Sequence, residues 1–357
     1  MKSILPPLNI GGLKIAVPII QGGMGVRVSD SGLAAAVANC GGAGTIASVG
    51  LGYCEEYCPD VVKVSNDGLR REIRRARELS KGVIGVNIMF ALSNYEELVK
   101  TAAEEKADFI VSGAGLPLNL PELVGESPVR LLPIVSSARA ANIIMKTWKR
   151  RYNRLTDAVV VEGPMAGGHL GFSTAELGDA GLTLEKIVPQ VIAAVKVYAD
   201  EAGRKIPVIA GGGVYTGADI AGFLKMGAGG VQIATRFVAT DECPAAQAFK
   251  EAYLKATAAD IFIIKSPVGM PGRALRTKFL DRVFGGETIP NKCAYRCLRS
   301  CNPTTVPYCI AKAMINAVEG RLDDAIVFAG SNVSRIDRIM PVRELMDELV
   351  AQANAAY

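Results

Sequence analysis

The chain has 357 residues, half of them apolar and 21% charged, with a net charge of +5. That is enough apolar material for a large core, and the modest charge gives no ground for a nucleic-acid partner. The start of the chain lacks a signal-peptide core and no apolar run reaches membrane-spanning length, so a cytoplasmic protein without membrane attachment is expected. Its eight cysteines are then expected as reduced thiols or metal ligands.

Short β-branched runs alternate with helical stretches along the chain. Strands are predicted at Ile15–Ile20, Ala43–Ala47, Val83–Ile88, Phe109–Ser112, Leu131–Val135, Ala158–Val161, Pro207–Ala210 and Gly230–Ala234. Helices are predicted at Ser31–Asn39, Asp67–Ser80, Asn94–Glu105, Arg139–Arg151, Leu184–Glu201, Gly217–Met226 and Pro244–Ala256. Near-continuous apolar strands, each followed by a crossover, imply a parallel sheet covered by helices. Eight such strands close a (β/α)8 TIM barrel. A doubly wound open sheet is the alternative, but it would carry its phosphate loop after the first strand. Here the glycine loops with that character come late. From Ile261 to Cys309 the alternation breaks, and helices follow at Ile310–Val318 and Val342–Ala355. The expected division is a barrel over 1–260 and, over 261–357, a helical, cysteine-containing subdomain lying across the barrel mouth.

The sole histidine of the chain, His169, lies in Ala166-Gly-Gly-His-Leu-Gly171, directly after the sixth strand. Histidine exchanges protons near neutral pH, and a glycine-rich loop at a strand end is where barrel enzymes place their chemistry. A structural imidazole is the plain alternative. Further on, Ile209-Ala-Gly-Gly-Gly-Val214 and Gly230-Val-Gln-Ile-Ala-Thr-Arg-Phe237 end strands seven and eight. Loops at those positions commonly bind phosphate through backbone amides, so Gly212, Gly213 and Thr235 favour a phosphorylated cofactor over glycines needed only for tight turns. Strand one ends in Gln21-Gly-Gly-Met-Gly25, where Met24 offers a soft surface to a flat ring. Asn87 and Glu162, ending strands three and six, place polar atoms at the mouth.

Together, Pro18-Ile-Ile-Gln-Gly-Gly-Met-Gly25, Gly85-Val-Asn-Ile-Met89, Val161-Glu-Gly-Pro-Met-Ala-Gly-Gly-His-Leu-Gly171 and the two late glycine motifs resemble the nitronate monooxygenase family. That family, also called 2-nitropropane dioxygenase, includes FMN-dependent enoyl-acyl-carrier-protein reductases. The resemblance covers about residues 5–280. It implies a TIM barrel that binds FMN through Gly23, Asn87, Glu162, Gly167, Gly212, Gly213, Gln232, Ile233, Ala234 and Thr235. It places Met24 near the ring and His169 toward the substrate. Two positions depart from the pattern: Met165 stands where the family has Glu, and Ala234 where it has Gly.

Three functions follow as expectations. The first is oxidation of alkyl nitronates by dioxygen to a carbonyl compound and nitrite, with His169 as base or as partner of the bound anion. The second is NAD(P)H-dependent reduction of an enoyl thioester or quinone, with acyl carrier protein as a partner. The third is a non-catalytic flavin or electron-transfer subunit. The basic runs Arg70–Arg77 and Lys149–Arg151 read as solvated helix faces, with an acidic protein partner as the minor alternative. A homo-oligomer stays open.

Cys293, Cys297, Cys301 and Cys309 have the spacing C-x3-C-x3-C-x7-C. A helical Cys293–Cys301 would align three sulfurs on one ridge, and a turn would return Cys309 to them. Four thiolates suit an iron–sulfur cluster or structural zinc, with plain thiols as the alternative. Cys54 and Cys58 add a further pair at helical spacing, whereas Cys40 and Cys243 read as packing residues.

Overall fold

Pro18 interrupts the run read as the first strand. In the computed structural model, which describes residues 4–52, 60–290, 293 and 295–357, β1 (Leu8–Ile10) and β2 (Leu13–Ile15) form an antiparallel hairpin before β3 (Ile19–Gln21) begins. The hairpin turns on Gly11 and Gly12, both at positive φ, a conformation that favours glycine. Its residues Leu8, Ile10 and Ile15 pack with Ile20, Phe109, Leu132, Val160 and Ile209. The hairpin therefore plugs the N-terminal end of the barrel interior.

The barrel is closed and parallel. After β3 it runs through β4 (Ala43–Ala47), β5 (Val83–Met89), β6 (Phe109–Gly113), β7 (Arg130–Val135) and β8 (Val159–Glu162). The two-residue β9 (Gly168–His169) lies outside the ring. Next, β10 (Val208–Gly211) pairs with β8, and β11 (Gly230–Ile233) pairs with β10 and β3, closing the circle. Interior space is shared between large and small partners. Gly85 lies opposite Phe109 in register, and a Cβ on Gly85 would fall 2.2 Å from the Phe109 ring. A larger residue there would overpack the interior.

Helices follow the strands and cover the outside: Ser31–Asn39, Val61–Leu79, Tyr95–Glu104, Ala138–Tyr152, Leu184–Glu201 and Gly217–Lys225. The second begins six residues before the expected Asp67, because Asp60 accepts a hydrogen bond from the Lys63 amide (2.9 Å) and caps a turn that the β-branched Val61, Val62 and Val64 had masked. The C-terminal helix Val342–Ala356 packs on Gly217–Lys225 and Ser31–Asn39. It therefore completes the outer ring.

Between these lies a second small sheet. β12 (Ile261–Lys265) and β13 (Pro271–Leu275) form a hairpin, β14 (Val327–Phe328) pairs with one end of β13, and β9 pairs with its other end. Among the described residues, no helix is long and apolar enough to cross a membrane.

Both basic runs answer internal electrostatics. Arg70, Arg74 and Arg77 pair with Glu104, Glu105 and Asp108 at 3.1, 2.6 and 2.8 Å. Lys149, Arg150 and Arg151 occupy the last turn of their helix, where cations complement the backbone dipole.

Candidate active site

The C-terminal ends of the barrel strands open into a cavity of about 260 Å3. Gly23, Met24, Asn87, Glu162, Gly167, His169, Gly212, Gly213, Gln232, Ile233, Ala234 and Thr235 all line it. One wall is the turn after β3. Its shape is set by Gln21, whose Nε2 donates to Ser29 Oγ (2.8 Å) while its Oε1 accepts from the Thr45 amide (3.0 Å). Ser29 Oγ also accepts from the Met24 amide (2.9 Å). The backbone of Gly23 passes so close to Asn87 that a Cβ would lie 2.3 Å from that residue's own Cβ. The result is a wall poor in side chains.

The adjoining wall is backbone at the ends of β10 and β11, glycine at 211–213 and Ala234-Thr235 after β11. Gly212 and Gly213 have φ of +81° and +141°, so residues with a side chain would be strained there. A loop absent from the sequence-based reading, 329–332, completes this wall. Gly330 N–H donates to Thr235 Oγ1 (3.1 Å), Asn332 Nδ2 to the Gly213 carbonyl (2.8 Å) and Ser331 N–H to the Met165 carbonyl (3.0 Å). Gly167 is required by packing against the same loop, since a Cβ would come within 2.5 Å of Ala329 and Gly330. The local signal was a Gly-Ser-Asn run after a short apolar stretch, which is common in any turn.

Glu162, the last residue of β8, is open to the cavity but enclosed by protein. Burial pushes its carboxyl up to about 7, and the Gly171 amide hydrogen bond opposes that rise. The same bond ties the strand end to the far side of the loop that carries His169. Arg273 Nη1 holds that loop from beneath by donating to the carbonyls of Pro164 and Ala166, each at 2.6 Å.

His169 is not in a loop as expected but in β9, opposite Gly272 of β13. Its Nε2 lies 2.7 Å from Ser266 Oγ in the β12–β13 turn, and its ring meets Phe328 edge to face at 5.0 Å. Burial lowers its pKa to about 4, so the imidazole is neutral near pH 7. Ser266 Oγ accepts from the Val268 amide (3.2 Å), which fixes the hydroxyl. Met165 is exposed at the cavity mouth, making it apolar where the family pattern places a carboxylate.

The cysteine expectation needs correction. The described residues of 293–301 form no helix. Leu298 instead bridges to Leu92, while Ser93 N–H donates to the Cys297 carbonyl and Arg299 N–H to the Ala91 carbonyl, both at 3.0 Å. This strand-like stitching overrides the helical spacing. Among the described residues, no group of three or more Cys, His, Asp or Glu side chains is placed to hold a metal ion, so neither the iron–sulfur nor the zinc expectation at Cys293, Cys297, Cys301 and Cys309 is supported. Cys243 is buried and Cys40 half-buried against the core. Cys54 and Cys58 lie outside the described residues.

A closed parallel eight-stranded barrel with a glycine-lined cavity at its C-terminal strand ends is a TIM barrel. Residues 7–108 and 89–352 match the nitronate monooxygenase family. The chain belongs to that family. It is 26% identical to a probable nitronate monooxygenase of Staphylococcus saprophyticus, covering 76% of this chain and 79% of that one. It is 28% identical to a 5-hydroxy-7a-methyl-1-oxo-octahydro-1H-indene-4-carboxyl-CoA dehydrogenase of Mycobacterium tuberculosis, covering 76% of this chain and 66% of the relative, just under two thirds of its length. Among solved structures it is similar to FabK from Thermotoga maritima, with TM-score 0.74, 28% identity and coverage of 96% of this chain and 94% of that one.

Proposed function

We propose that the chain is an FMN-dependent oxidoreductase that oxidises alkyl nitronates with dioxygen, giving a carbonyl compound and nitrite. The observation that carries this reading is a neutral, firmly held imidazole on the wall of a cavity that suits a flavin. The fit is physical. The side-chain-poor wall at Gly23 and Met24 matches a flat ring, and the left-handed glycine backbone at Gly212–Gly213 with Thr235 matches a phosphate. Asn87, Glu162, Gly167 and Gln232–Ala234 would hold the parts between. FMN bound there supplies the electron acceptor.

The protein's own residues then have defined tasks. Ser266 engages Nε2 of His169 and leaves Nδ1 for substrate. With a nitronate anion no proton has to move, and the neutral ring serves as a hydrogen-bond donor to the nitro oxygens. With a neutral nitroalkane, Nδ1 takes the proton from the carbon beside the nitro group. Burial disfavours the imidazolium, so the anion is the better substrate. Burial raises the Glu162 pKa to about 7, so below that pH its carboxyl is mainly neutral and repels the anion little.

A second reading, NAD(P)H-dependent reduction of an enoyl thioester carried on acyl carrier protein, is favoured by the apolar mouth at Met165 and by the likeness to FabK. Anaerobic addition of each reductant separates the two. Bleaching of the flavin by an alkyl nitronate, with nitrite release once oxygen is admitted, supports the first. Bleaching by NAD(P)H alone, with no response to nitronate, replaces it with the second. Colourless protein that takes up no added FMN overturns both.

A further inference from the structure

The cavity has two unlike halves. Around the strand ends it is lined by glycine backbone and polar side chains, and beyond them by apolar side chains that reach the helix Ile310–Val318. Ile310, Ala311, Met314 and Ala317 of that helix all line the cavity, and their spacing puts them on one helical face. The helix is fixed in place: Asn316 Nδ2 donates to the Asp324 carbonyl and the Ala246 amide to the Val318 carbonyl, both at 2.8 Å. Two walls join the reacting end to this helix. One begins at His169, whose ring meets that of Phe328 at 5.0 Å; two residues earlier, the Ile326 amide donates to the Ala313 carbonyl of the helix (3.2 Å). The other begins at Met24; two residues later, Val26 packs on Ala311 and Ile315 together with Met314. Among the described residues, the acidic and basic side chains on the lining are Glu162, His169 and Arg236. Arg236 is already paired with Glu348 (3.1 Å) and lies over the Tyr215 ring (4.8 Å).

We propose that the apolar half holds an uncharged hydrocarbon tail of the substrate, and that Ala311 and Met314 set the length and bulk of the tail accepted. The substrate class is then a nitronate with an extended alkyl or arylalkyl group, not a small or carboxylate-bearing one. This rests on the nitronate reading for the reacting group alone. A tail seated between Val26, Met314 and Phe328 leaves water without unpairing a polar group, since the Tyr253 hydroxyl already donates to the Phe328 carbonyl. A substrate carboxylate would find no free cation there among the described lining residues, and burying it unpaired is costly. Binding energy from such remote contacts raises kcat/KM without touching the reacting atoms.

The test uses the full chain with FMN added, assayed with linear nitronates of increasing length and, separately, titrated by calorimetry with unreactive 1-alkanols. In the parent, kcat/KM and alkanol affinity are expected to rise about fourfold per methylene until the pocket is filled, with the negative heat-capacity change of apolar burial in the alkanol series. A nitronate ending in a carboxylate should fall at least about tenfold below its methyl-ended counterpart of equal length. Ala311→Leu should move both optima to shorter chains and Met314→Ala to longer or bulkier ones, opposite directions that a general loss of folding does not mimic. A parent profile flat in chain length in either series overturns the proposal. So does preference for the carboxylate-ended nitronate, or an optimum that stays in place in both variants. Alkanol affinity that rises with length and shifts in the variants, with no nitronate turnover, supports the pocket and removes the nitronate reading instead.

Discussion

Nε2 of His169 and Oγ of Ser266 lie 2.7 Å apart although 97 residues separate them in the chain. The serine belongs to the β12–β13 hairpin, and the histidine is the last residue of a two-residue strand paired to β13. The same sheet therefore sets the position of the imidazole and the nitrogen it presents to the cavity. Ser266→Ala should leave FMN bound and lower kcat with nitronates by about tenfold, through loss of one orienting hydrogen bond. His169→Ala should lower kcat/KM by about 10²–10⁴. Steady-state oxygen consumption checks both, and unchanged turnover in His169→Ala would remove the assigned role.

Opposed pKa shifts make the pH dependence of stability diagnostic. Glu162 is raised from 4.5 to about 7, so its contribution is complete below 4.5 and fades as pH rises through 7. His169 is lowered from 6.5 to about 4, so its contribution is complete above 6.5 and fades as pH falls through 4. Between 4.5 and 6.5 the two slopes cancel. Glu162→Gln keeps a neutral side chain that still accepts from Gly171. Its cofactor-free stability should therefore rise relative to the parent between pH 4.5 and 8, by up to about 3 kcal/mol at 1.36 kcal/mol per pKa unit. Urea unfolding at several pH values measures this, and parallel profiles would refute it.

Gly85 leaves the interior space that the Phe109 ring fills. Gly85→Ala should destabilise by about 1–3 kcal/mol, because the ring is wedged among other barrel residues and has little room to move. Adding Phe109→Leu should return part of that loss, as expected for two residues in contact. Thermal or chemical denaturation of the single and double variants gives the coupling.

Thr235 links β11 to the loop 329–332 through its bond with the Gly330 amide. Thr235→Val should weaken FMN about tenfold, equivalent to about 1.4 kcal/mol, while Thr235→Ser should bind normally. Fluorescence titration of cofactor-free protein with FMN reads the difference, and equal affinity in both variants would sink the assignment.

The sequence by itself determined the barrel. Apolar strands alternating with amphipathic helices are local patterns, and helices such as Ser31–Asn39 and Leu184–Glu201 fall at their predicted bounds. Residue chemistry at strand ends also picked out His169, Glu162 and the glycine runs after β10 and β3, because those positions must open toward one face of a parallel barrel. Tertiary structure decided what surrounds them. The neutrality of His169 comes from burial and its orientation from Ser266; the Gly212–Gly213 wall is finished by Asn332, 119 residues from Gly213. The segment 297–299 is stitched strand-like to 91–93, against a spacing that suggested a helix. Periodicity records what a segment does with its own neighbours. Contacts made across a hundred residues leave no such trace, since they depend on which surfaces the closed barrel brings together.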